Sequence, residues 1–147
     1  MNRFDLTKRT AIVTGGAQGL GFGIAKRFIE SGAEVIIWDI DKELLKSAEK
    51  KLNNNKATFQ SVNVANFEDV KKNIDQITAE KKIDILINNA GVTGLTAKLW
   101  DYPIDEWHKV LNVNLNGTFY CCKVVAPHMI KNNYGRIVNV ASVAGKD

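Results

Sequence analysis

The sequence is poor in the residues that define several classes of protein. It has only two prolines and two cysteines among 147 residues. None of its apolar runs is long enough to cross a bilayer, and one of the longest, residues 83–87, is interrupted by Asp84. The first six residues, MNRFDL, lack the apolar segment of a secretory signal. We therefore expect a cytoplasmic protein with no membrane association.

The two cysteines, Cys121 and Cys122, are adjacent in the chain. Adjacent cysteines rarely pair with each other, and they do not form the CxxC pattern of metal or redox sites. We expect both to be small apolar residues on a buried helix, and the lack of a disulfide framework favours a reducing compartment. His108 and His128 have no metal-ligand companions, so no metal site is predicted.

The formal net charge of +4 raises the possibility of a nucleic-acid partner. The lysines, however, occur in small groups that carboxylates interrupt, as in residues 41–43 (DKE) and 80–82 (EKK). This pattern is typical of solvated helix faces, and we predict no nucleic-acid binding.

Two kinds of segment alternate along the chain. Apolar runs predict strands at 10–13, 34–38, 57–62, 83–87 and 135–140. Helical spacing predicts helices at 21–31, 41–52, 67–77 and 105–129. Nearly continuous apolar strands are typical of parallel sheets that helices cover on both faces. We predict one α/β domain over residues 1–147, a Rossmann-like doubly wound parallel sheet of order 3-2-1-4-5 with its ligand at the carboxyl ends of the strands.

A glycine cluster, TGGAQGLG at residues 14–21, follows the first predicted strand and precedes a predicted helix. Glycine permits a tight turn and lets the backbone approach a pyrophosphate, while the N-terminus of the helix attracts anions. A turn that requires glycine for its conformation alone is the simpler alternative.

Four motifs in this order resemble those of the short-chain dehydrogenase/reductase family, in its NAD(P)-dependent single-domain branch. They are TGxxxGxG at 14–21, NNAG at 88–91, NVNLNG at 112–117 and NVASVAG at 139–145. The resemblance covers essentially the whole chain and is closest to 3-oxoacyl-carrier-protein reductases and to sugar or polyol dehydrogenases. It implies hydride transfer between a nicotinamide cofactor and a small-molecule alcohol or carbonyl substrate, in a homodimer or homotetramer.

Asp39, at the end of the second predicted strand, indicates which cofactor is used. A carboxylate about 20 residues after the glycines can accept hydrogen bonds from both hydroxyls of the adenosine ribose and repels a 2′-phosphate. Gln18 and Ile40 occupy positions where NADP-preferring members usually carry a basic residue. NAD is therefore predicted, and Lys42 is the nearby cation that favours the alternative, NADP.

The resemblance implies further cofactor contacts in the glycine loop and at the ends of the third and fourth strands. These residues are Gly15, Gln18, Gly19, Leu20, Gly21, Asn63, Val64, Asn89, Ala90 and Gly91. Asn63 replaces the family's usual aspartate against the adenine ring, and its side-chain oxygen can still accept from the adenine amino group. Asn89 is also assigned a stabilising role.

The resemblance implies two catalytic residues. Ser142 would hydrogen-bond the substrate oxygen, and Asn114 would interrupt the long helix with a bound water and help carry a proton relay. The family also needs a tyrosine followed four residues later by a lysine, and no tyrosine in residues 1–147 has that partner. Two hypotheses follow: an oxidoreductase that needs residues beyond 147, so that this chain alone is inactive, or a catalytically inactive nucleotide-binding or interaction module.

Two expectations concern packing. Trp100, Tyr102, Trp107 and His108 are predicted to pack within the loop after the fourth strand rather than to contact substrate. Without the helix that follows the fifth strand, an apolar face along residues 111–129 should remain uncovered.

Overall fold

The computed structural model of the chain describes residues 4–142. Its strands are β1 (Thr10–Thr14), β2 (Glu34–Asp39), β3 (Ala57–Ser61), β4 (Ile85–Asn88) and β5 (Arg136–Asn139). Its α-helices are α1 (Gly19–Glu30), α2 (Lys42–Leu52), α3 (Phe67–Glu80), α4 (Ile104–Leu111) and α5 (Gly117–Lys131).

The strands form one sheet in the order β3-β2-β1-β4-β5, and every neighbouring pair is parallel. Ala11 of β1 lies beside Val35 of β2 on one side and Ile85 of β4 on the other. The predicted fold class and strand order are confirmed. In such a sheet the carboxyl ends of β1 and β4 are adjacent and their connecting helices leave in opposite directions, which opens a crevice between them.

The apolar strands supply two cores because their successive side chains point to opposite faces of the sheet. Ile12 and Trp38 face α3 and α5, while Val13 and Ile37 face α1 and α2, and all four side chains are fully buried. The Trp38 indole Nε1 donates to Gln60 Oε1 at 2.8 Å, so its polar atom is paired. Burial on both faces explains why these strands are continuous apolar runs.

Local side-chain hydrogen bonds determine where α2 and α3 begin and where α2 ends. Asp41 accepts from the backbone N–H groups of Glu43 and Leu44, and Asn66 accepts from that of Asp69. Such bonds satisfy donors that the first turn of a helix leaves unpaired. At its other end α2 stops at Asn53, which adopts the left-handed conformation at φ 39° and ψ 53°.

The helix predicted over 105–129 is divided in two, and the interruption lies at Asn114, where the family resemblance implies one. A π-helical turn over Asn112–Asn116 separates α4 from α5. Gly117 begins α5 so close to the turn after β3 that a Cβ there would lie 3.0 Å from Cγ2 of Val64. Asn114, within the π turn, bonds to a distant loop. A π turn inserts an extra residue into the helix and is frequently found at functional sites.

The aromatic residues between β4 and the end of α4 differ from expectation. Trp100 is 79% exposed and Trp107 is 51% exposed, so the prediction that they pack within the loop is wrong for both. The 3-10 turn Leu99–Asp101 carries Trp100 outward. Tyr102 does contact the loop, where its hydroxyl accepts from the backbone N–H of Leu95 at 3.3 Å.

The outer side of α5 and of β5 is uncovered in residues 4–142. Phe119 and Ile130 of α5 are 57% and 78% exposed, and all four residues of β5 are exposed. Leu115 in the π turn continues this surface. The expected uncovered apolar face is therefore confirmed for the described residues.

Candidate dinucleotide-binding site

The glycine loop lies against the end of β4. Gly15 and Gly19 have φ values of +60° and +54°, a conformation that favours glycine. A Cβ on Gly15 would approach Cα of Ala90 to 2.8 Å, and a Cβ on Gly21 would approach the carbonyl oxygen of Gly15 to 2.4 Å. A Cβ on Gly19 would meet nothing within 4 Å. The loop is thus closed towards the sheet and open above Gly19.

Thr14 and Asn89 join the ends of β1 and β4 beneath this loop. The Asn89 side-chain Nδ2 donates to the carbonyl oxygens of Thr14 and Gly15, both at 3.0 Å. The Thr14 hydroxyl accepts from the backbone N–H groups of Asn89 and Ala90, also at 3.0 Å, and contacts the carbonyl oxygen of Ile87 at 3.4 Å. These bonds hold the loop's carbonyl groups inward. Asn89 therefore stabilises the loop, the role that the family resemblance implies for it.

The N-terminus of α1 is free to attract an anion. Gln18 precedes the helix without a side-chain capping bond, and the first turn of α1 carries no acidic residue. By contrast, α2 and α3 each have a capping side chain and an acidic residue in the first turn. A helix N-terminus carries a partial positive charge and unpaired N–H groups. Among these three helices, only α1 leaves that charge without a neutralising side chain.

Asp39 lies beside the glycine loop at the end of β2. Its Oδ2 accepts from the backbone N–H of Ala17 and its Oδ1 from that of Asp41, both at 3.2 Å. The residue is half-buried and lines a crevice of about 430 Å³. Each carboxylate oxygen keeps a lone pair beyond these bonds. Asp41 also lines the crevice, so two carboxylates lie at this edge.

The far end of the crevice, beyond Asp39 as seen from the glycine loop, is mostly apolar. Its side chains come from the ends of β2 and β3 and from α2. They are Ile40, Leu44, Val62 and Val64. This composition suits a flat apolar group such as a base.

Asn63 contributes a polar side chain to this mostly apolar end of the crevice. Its hydrogen bonding differs from the expectation that its side-chain oxygen faces the adenine amino group. Its Oδ1 accepts from the backbone N–H of Ala65 at 3.0 Å, so the oxygen expected to face adenine is already engaged. Its own backbone N–H donates to Oδ2 of Asp69 at 2.8 Å. The local turn thereby holds the Asn63 amide in one orientation.

Asn114 connects the π turn to the loop after β4. Its Oδ1 accepts from the backbone N–H of Val92 and its Nδ2 donates to the Val92 carbonyl, both at 2.8 Å. Val92 and Val113 line the crevice, so this bond pair defines its end nearest β4. Ser142 lies exposed in the segment after β5, and the backbone N–H of Val140 just before it donates to the Asn88 carbonyl at 2.9 Å.

The crevice brings most of the sequence-predicted cofactor residues together. Those that line it are Gly15, Gln18, Asp39, Asn63, Val64, Asn89, Ala90 and Gly91. Gly19 and Leu20 lie exposed at the start of α1, and Gly21 is buried behind the loop. Sequence reasoning missed Ile40, Asp41, Leu44, Val62, Val92 and Val113. Position after a strand end was the available signal for Ile40 and Val92.

The two cysteines behave differently from each other. Cys121 is fully buried, and this burial, with a smaller contribution from Cys122, raises the pKa of its thiol to about 12. Cys122 is half-buried, and its Sγ lies 3.3 Å from Asn88 Nδ2. The expectation of two apolar helix residues therefore fits Cys121 and fails for Cys122, which contacts a polar group at the end of β4. Asn88 Nδ2 also donates to Asn139 Oδ1 at 2.8 Å.

Residues 4–142 lack the features of a membrane protein with spanning helices and of a clustered metal site. No helix there combines the length and the hydropathy that a membrane span requires. Nor do three or more histidine, cysteine or acidic side chains come together as potential metal ligands.

A parallel 3-2-1-4-5 sheet with a glycine loop after β1 and a carboxylate at the tip of β2 defines a dinucleotide-binding type of α/β protein. The sequence profile of the family described as short chain dehydrogenase matches residues 9–147. The chain belongs to this short-chain dehydrogenase family.

Individual relatives agree with this assignment. The chain is 43% identical over 140 residues to a 2-dehydro-3-deoxy-L-rhamnonate dehydrogenase (NAD(+)) of Sphingomonas sp. (strain SKA58), which covers 95% of the chain and 55% of that protein. It is 40% identical over 144 residues to a 3-oxoacyl-(acyl-carrier-protein) reductase of Chlamydia muridarum (strain MoPn / Nigg). This match covers 95% of the chain and 58% of that reductase.

A crystal structure of NAD+-bound xylitol dehydrogenase superimposes with a TM-score of 0.90 at 36% identity, covering 97% of the chain and 56% of that structure. The chain thus spans somewhat more than half the length of the relatives it matches.

Proposed function

We propose that the chain forms the cofactor-binding part of an oxidoreductase that transfers hydride between NAD(H) and an alcohol or carbonyl substrate. The observation that carries the proposal is the position of Asp39, whose carboxylate is held by Ala17 of the glycine loop at the edge of the crevice. The names of two relatives, which specify NAD+, support it.

The residues of the crevice fit a dinucleotide. The open side of the glycine loop and the uncapped start of α1 suit a pyrophosphate. Asp39 suits the two ribose hydroxyls, and the apolar end suits a base. When bound, NAD+ would accept the hydride. The chain's part is to bind and orient it.

The preference for NAD over NADP follows from charge. Asp39 and Asp41 both line the edge where a 2′-phosphate would enter, and Lys42 is the cation that follows them. Asp41 is held by its bonds to the first turn of α2, so its carboxylate cannot turn away without uncapping that helix. Two carboxylates against one ammonium disfavour an added phosphate dianion.

Two residues are assigned to the chemistry. Ser142 would donate a hydrogen bond from its hydroxyl to the substrate oxygen, and Asn114 would keep the loop at Val92 in position and take part in proton transfer through water. We further propose that residues 1–147 alone bind NAD without turnover, because no tyrosine among them precedes a lysine by four residues.

The test compares dissociation constants for NAD and NADP by calorimetry in the unmodified protein and in Asp39→Ala. A carboxylate hydrogen-bonded to hydroxyls contributes about 1.5–3 kcal/mol. Asp39→Ala should therefore weaken NAD binding about 10- to 100-fold and reduce the ratio between the dissociation constants for NADP and NAD.

The matched control is Asp75→Ala, which removes an equal charge from the exposed face of α3, where Asp75 pairs with Lys71. Asp75→Ala should leave the dissociation constants for NAD and for NADP unchanged. Tighter binding of NADP than of NAD by the unmodified protein would refute the cofactor assignment.

A further inference from the structure

A thiol and two amides meet at the carboxyl ends of β4 and β5. Sγ of Cys122 lies 3.3 Å from Nδ2 of Asn88 and 3.9 Å from Oδ1 of Asn139. Nδ2 of Asn88 also donates to Oδ1 of Asn139 at 2.8 Å. None of these three side chains lines the crevice, so the proposed cofactor site does not account for the cluster.

One polar atom of this cluster lacks a partner. Asn88 is only 4% exposed, and its Oδ1 is a buried acceptor that receives no hydrogen bond within residues 4–142. A buried acceptor without a donor is costly. The same amide contacts Sγ of Cys122 through Nδ2, which is joined to Oδ1 through a single carbon atom. A hydroxyl group attached to Sγ would therefore be a donor within reach of Oδ1.

The two cysteines differ in how easily an oxidant can attack them. Oxidation requires access to the sulfur and proceeds through the thiolate. Cys122 is half-buried, so a small dissolved oxidant can reach its Sγ. Cys121 is fully buried, and this burial raises the pKa of its thiol to about 12. Cys122 is therefore the cysteine that should be oxidised in the folded protein.

An oxidised Cys122 would not be consumed by a disulfide within the chain. The sequence contains no cysteine besides Cys121 and Cys122. Adjacent residues of a helix do not face each other, and here Cys121 belongs to the core whereas Cys122 contacts Asn88. A disulfide needs Cβ atoms about 3.5–4.5 Å apart with both sulfurs turned towards each other. The condensation that usually removes a sulfenic acid is thus blocked within α5.

We propose that Cys122 is a site of reversible oxidation to a sulfenic acid, which Asn88 stabilises by accepting a hydrogen bond from the new S–OH group. Hydrogen peroxide is the oxidant. The sulfur attacks one peroxide oxygen, the S–O bond forms as the O–O bond breaks, and the other oxygen leaves with the thiol proton as water. Sulfur is oxidised by two electrons, and the peroxide is reduced by them. The S–OH proton then occupies Oδ1 of Asn88, the acceptor that the reduced protein leaves unpaired.

The test treats the folded protein with hydrogen peroxide, removes the peroxide with catalase and adds dimedone, which labels sulfenic acids, after increasing delays. Fragment-ion mass spectrometry should find the label on Cys122 and not on Cys121. Dithiothreitol added in place of dimedone should restore the thiol. In concentrated urea, where both side chains are exposed, the label should be divided between the two cysteines.

Asn88→Ala tests the stabilising hydrogen bond. Without the acceptor, the lifetime of the sulfenic acid at Cys122 should fall about tenfold. The matched control is Asn139→Ala, which removes the exposed amide of the same cluster and leaves Oδ1 of Asn88 in place. Asn139→Ala should retain the lifetime found in the unmodified protein.

Far-ultraviolet circular dichroism verifies that each variant is folded. If Asn88→Ala does not fold, the unmodified protein decides, because its sulfenic acid should last at least about tenfold longer in buffer than in concentrated urea.

Three results would refute the inference. They are equal labelling of Cys121 and Cys122 in the folded protein, conversion of Cys122 to a sulfinic acid without a sulfenic acid that dimedone traps, and an unchanged lifetime in folded Asn88→Ala. None of these measurements involves NAD, so the proposed function stands or falls separately.

Discussion

Replacing Gly21 by alanine should destabilise the protein and weaken its binding of NAD, because the added methyl group has no space. Its Cβ would lie 2.4 Å from the Gly15 carbonyl oxygen and 2.5 Å from Asn89 Nδ2. Those two atoms bond to each other at 3.0 Å, so the methyl group would enter between the partners of an existing hydrogen bond.

The expected change in the free energy of unfolding of Gly21→Ala has three contributions. Forcing a methyl group into a packed site typically costs about 1–3 kcal/mol. Disrupting the bond between Asn89 and Gly15 costs about 1 kcal/mol more. Alanine regains about 1 kcal/mol over glycine through its helix propensity, since Gly21 lies within α1. The net loss of unfolding free energy should be about 1–3 kcal/mol.

The control is Gly23→Ala in the same helix. A Cβ on Gly23 would meet nothing within 4 Å, so only the gain in helix propensity remains, about 0.5–1 kcal/mol. The same substitution two residues apart should thus change stability in opposite directions. This contrast does not depend on any difference in side-chain chemistry.

Urea unfolding followed by circular dichroism measures both variants, and calorimetry measures NAD affinity. Gly21→Ala should shift the Gly15 carbonyl and lower the affinity about tenfold or more, equivalent to 1.4 kcal/mol. Gly23→Ala should leave the affinity for NAD unchanged. Equal stability of the two variants would show that the glycine loop does not approach α1 as closely as described.

Three further predictions concern residues outside the crevice. Asp84 is 8% exposed and accepts from Arg9 at 2.9 Å and from the Thr10 N–H at 3.0 Å, so Asp84→Ala should cost about 2–4 kcal/mol in urea unfolding. Asp84→Asn, which keeps an acceptor, should cost less, and an equal loss would contradict this reasoning. Maleimide labelling of the native protein at pH 8, followed by mass spectrometry of peptides, should modify Cys122 before Cys121. Cys121 should react slowly because it is buried and its thiol pKa of about 12 keeps it neutral. Preferential labelling of Cys121 would be inconsistent with its burial. At the end of α2, where Asn53 has a φ of +39°, Asn53→Gly should raise the free energy of unfolding slightly and Asn53→Ala should lower it by roughly 0.5–1 kcal/mol, as thermal unfolding would measure; the reverse order would exclude the left-handed cap.

Much of the fold could be predicted from the sequence because its signals are local. Each apolar run predicts a buried strand, and the alternation of strands with helices restricts the sheet to few topologies. Boundaries were less accurate. The fourth strand was predicted from residue 83 but begins at Ile85, and the side chain of Asp84 just before it pairs with Arg9, which precedes β1. That partner lies 75 residues away in the sequence.

In the candidate site too, local features could be predicted from the sequence and long-range contacts could not. The glycine loop and Asp39 were recognisable because turn chemistry and strand ends leave patterns in the sequence. The break in the long helix was implied only by the family resemblance and not by the residues themselves, because Asn114 bonds to Val92, 22 residues earlier, and composition does not reveal such a partner. The exposure of Trp100 was likewise unpredictable, because it depends on which elements lie over the loop.

The sequence by itself determined where the buried strands, the glycine loop and Asp39 lie along the chain, because hydrophobic periodicity and glycine act through the chain's nearest neighbours. The tertiary structure alone decided which polar atoms face the crevice. Asn63 illustrates the reason: its residue type permits either a donor or an acceptor towards a ligand, and the bond of Oδ1 to the Ala65 N–H leaves Nδ2 as the outward group. Such a choice depends on the three-dimensional arrangement of hydrogen-bond partners, which residue identity does not encode.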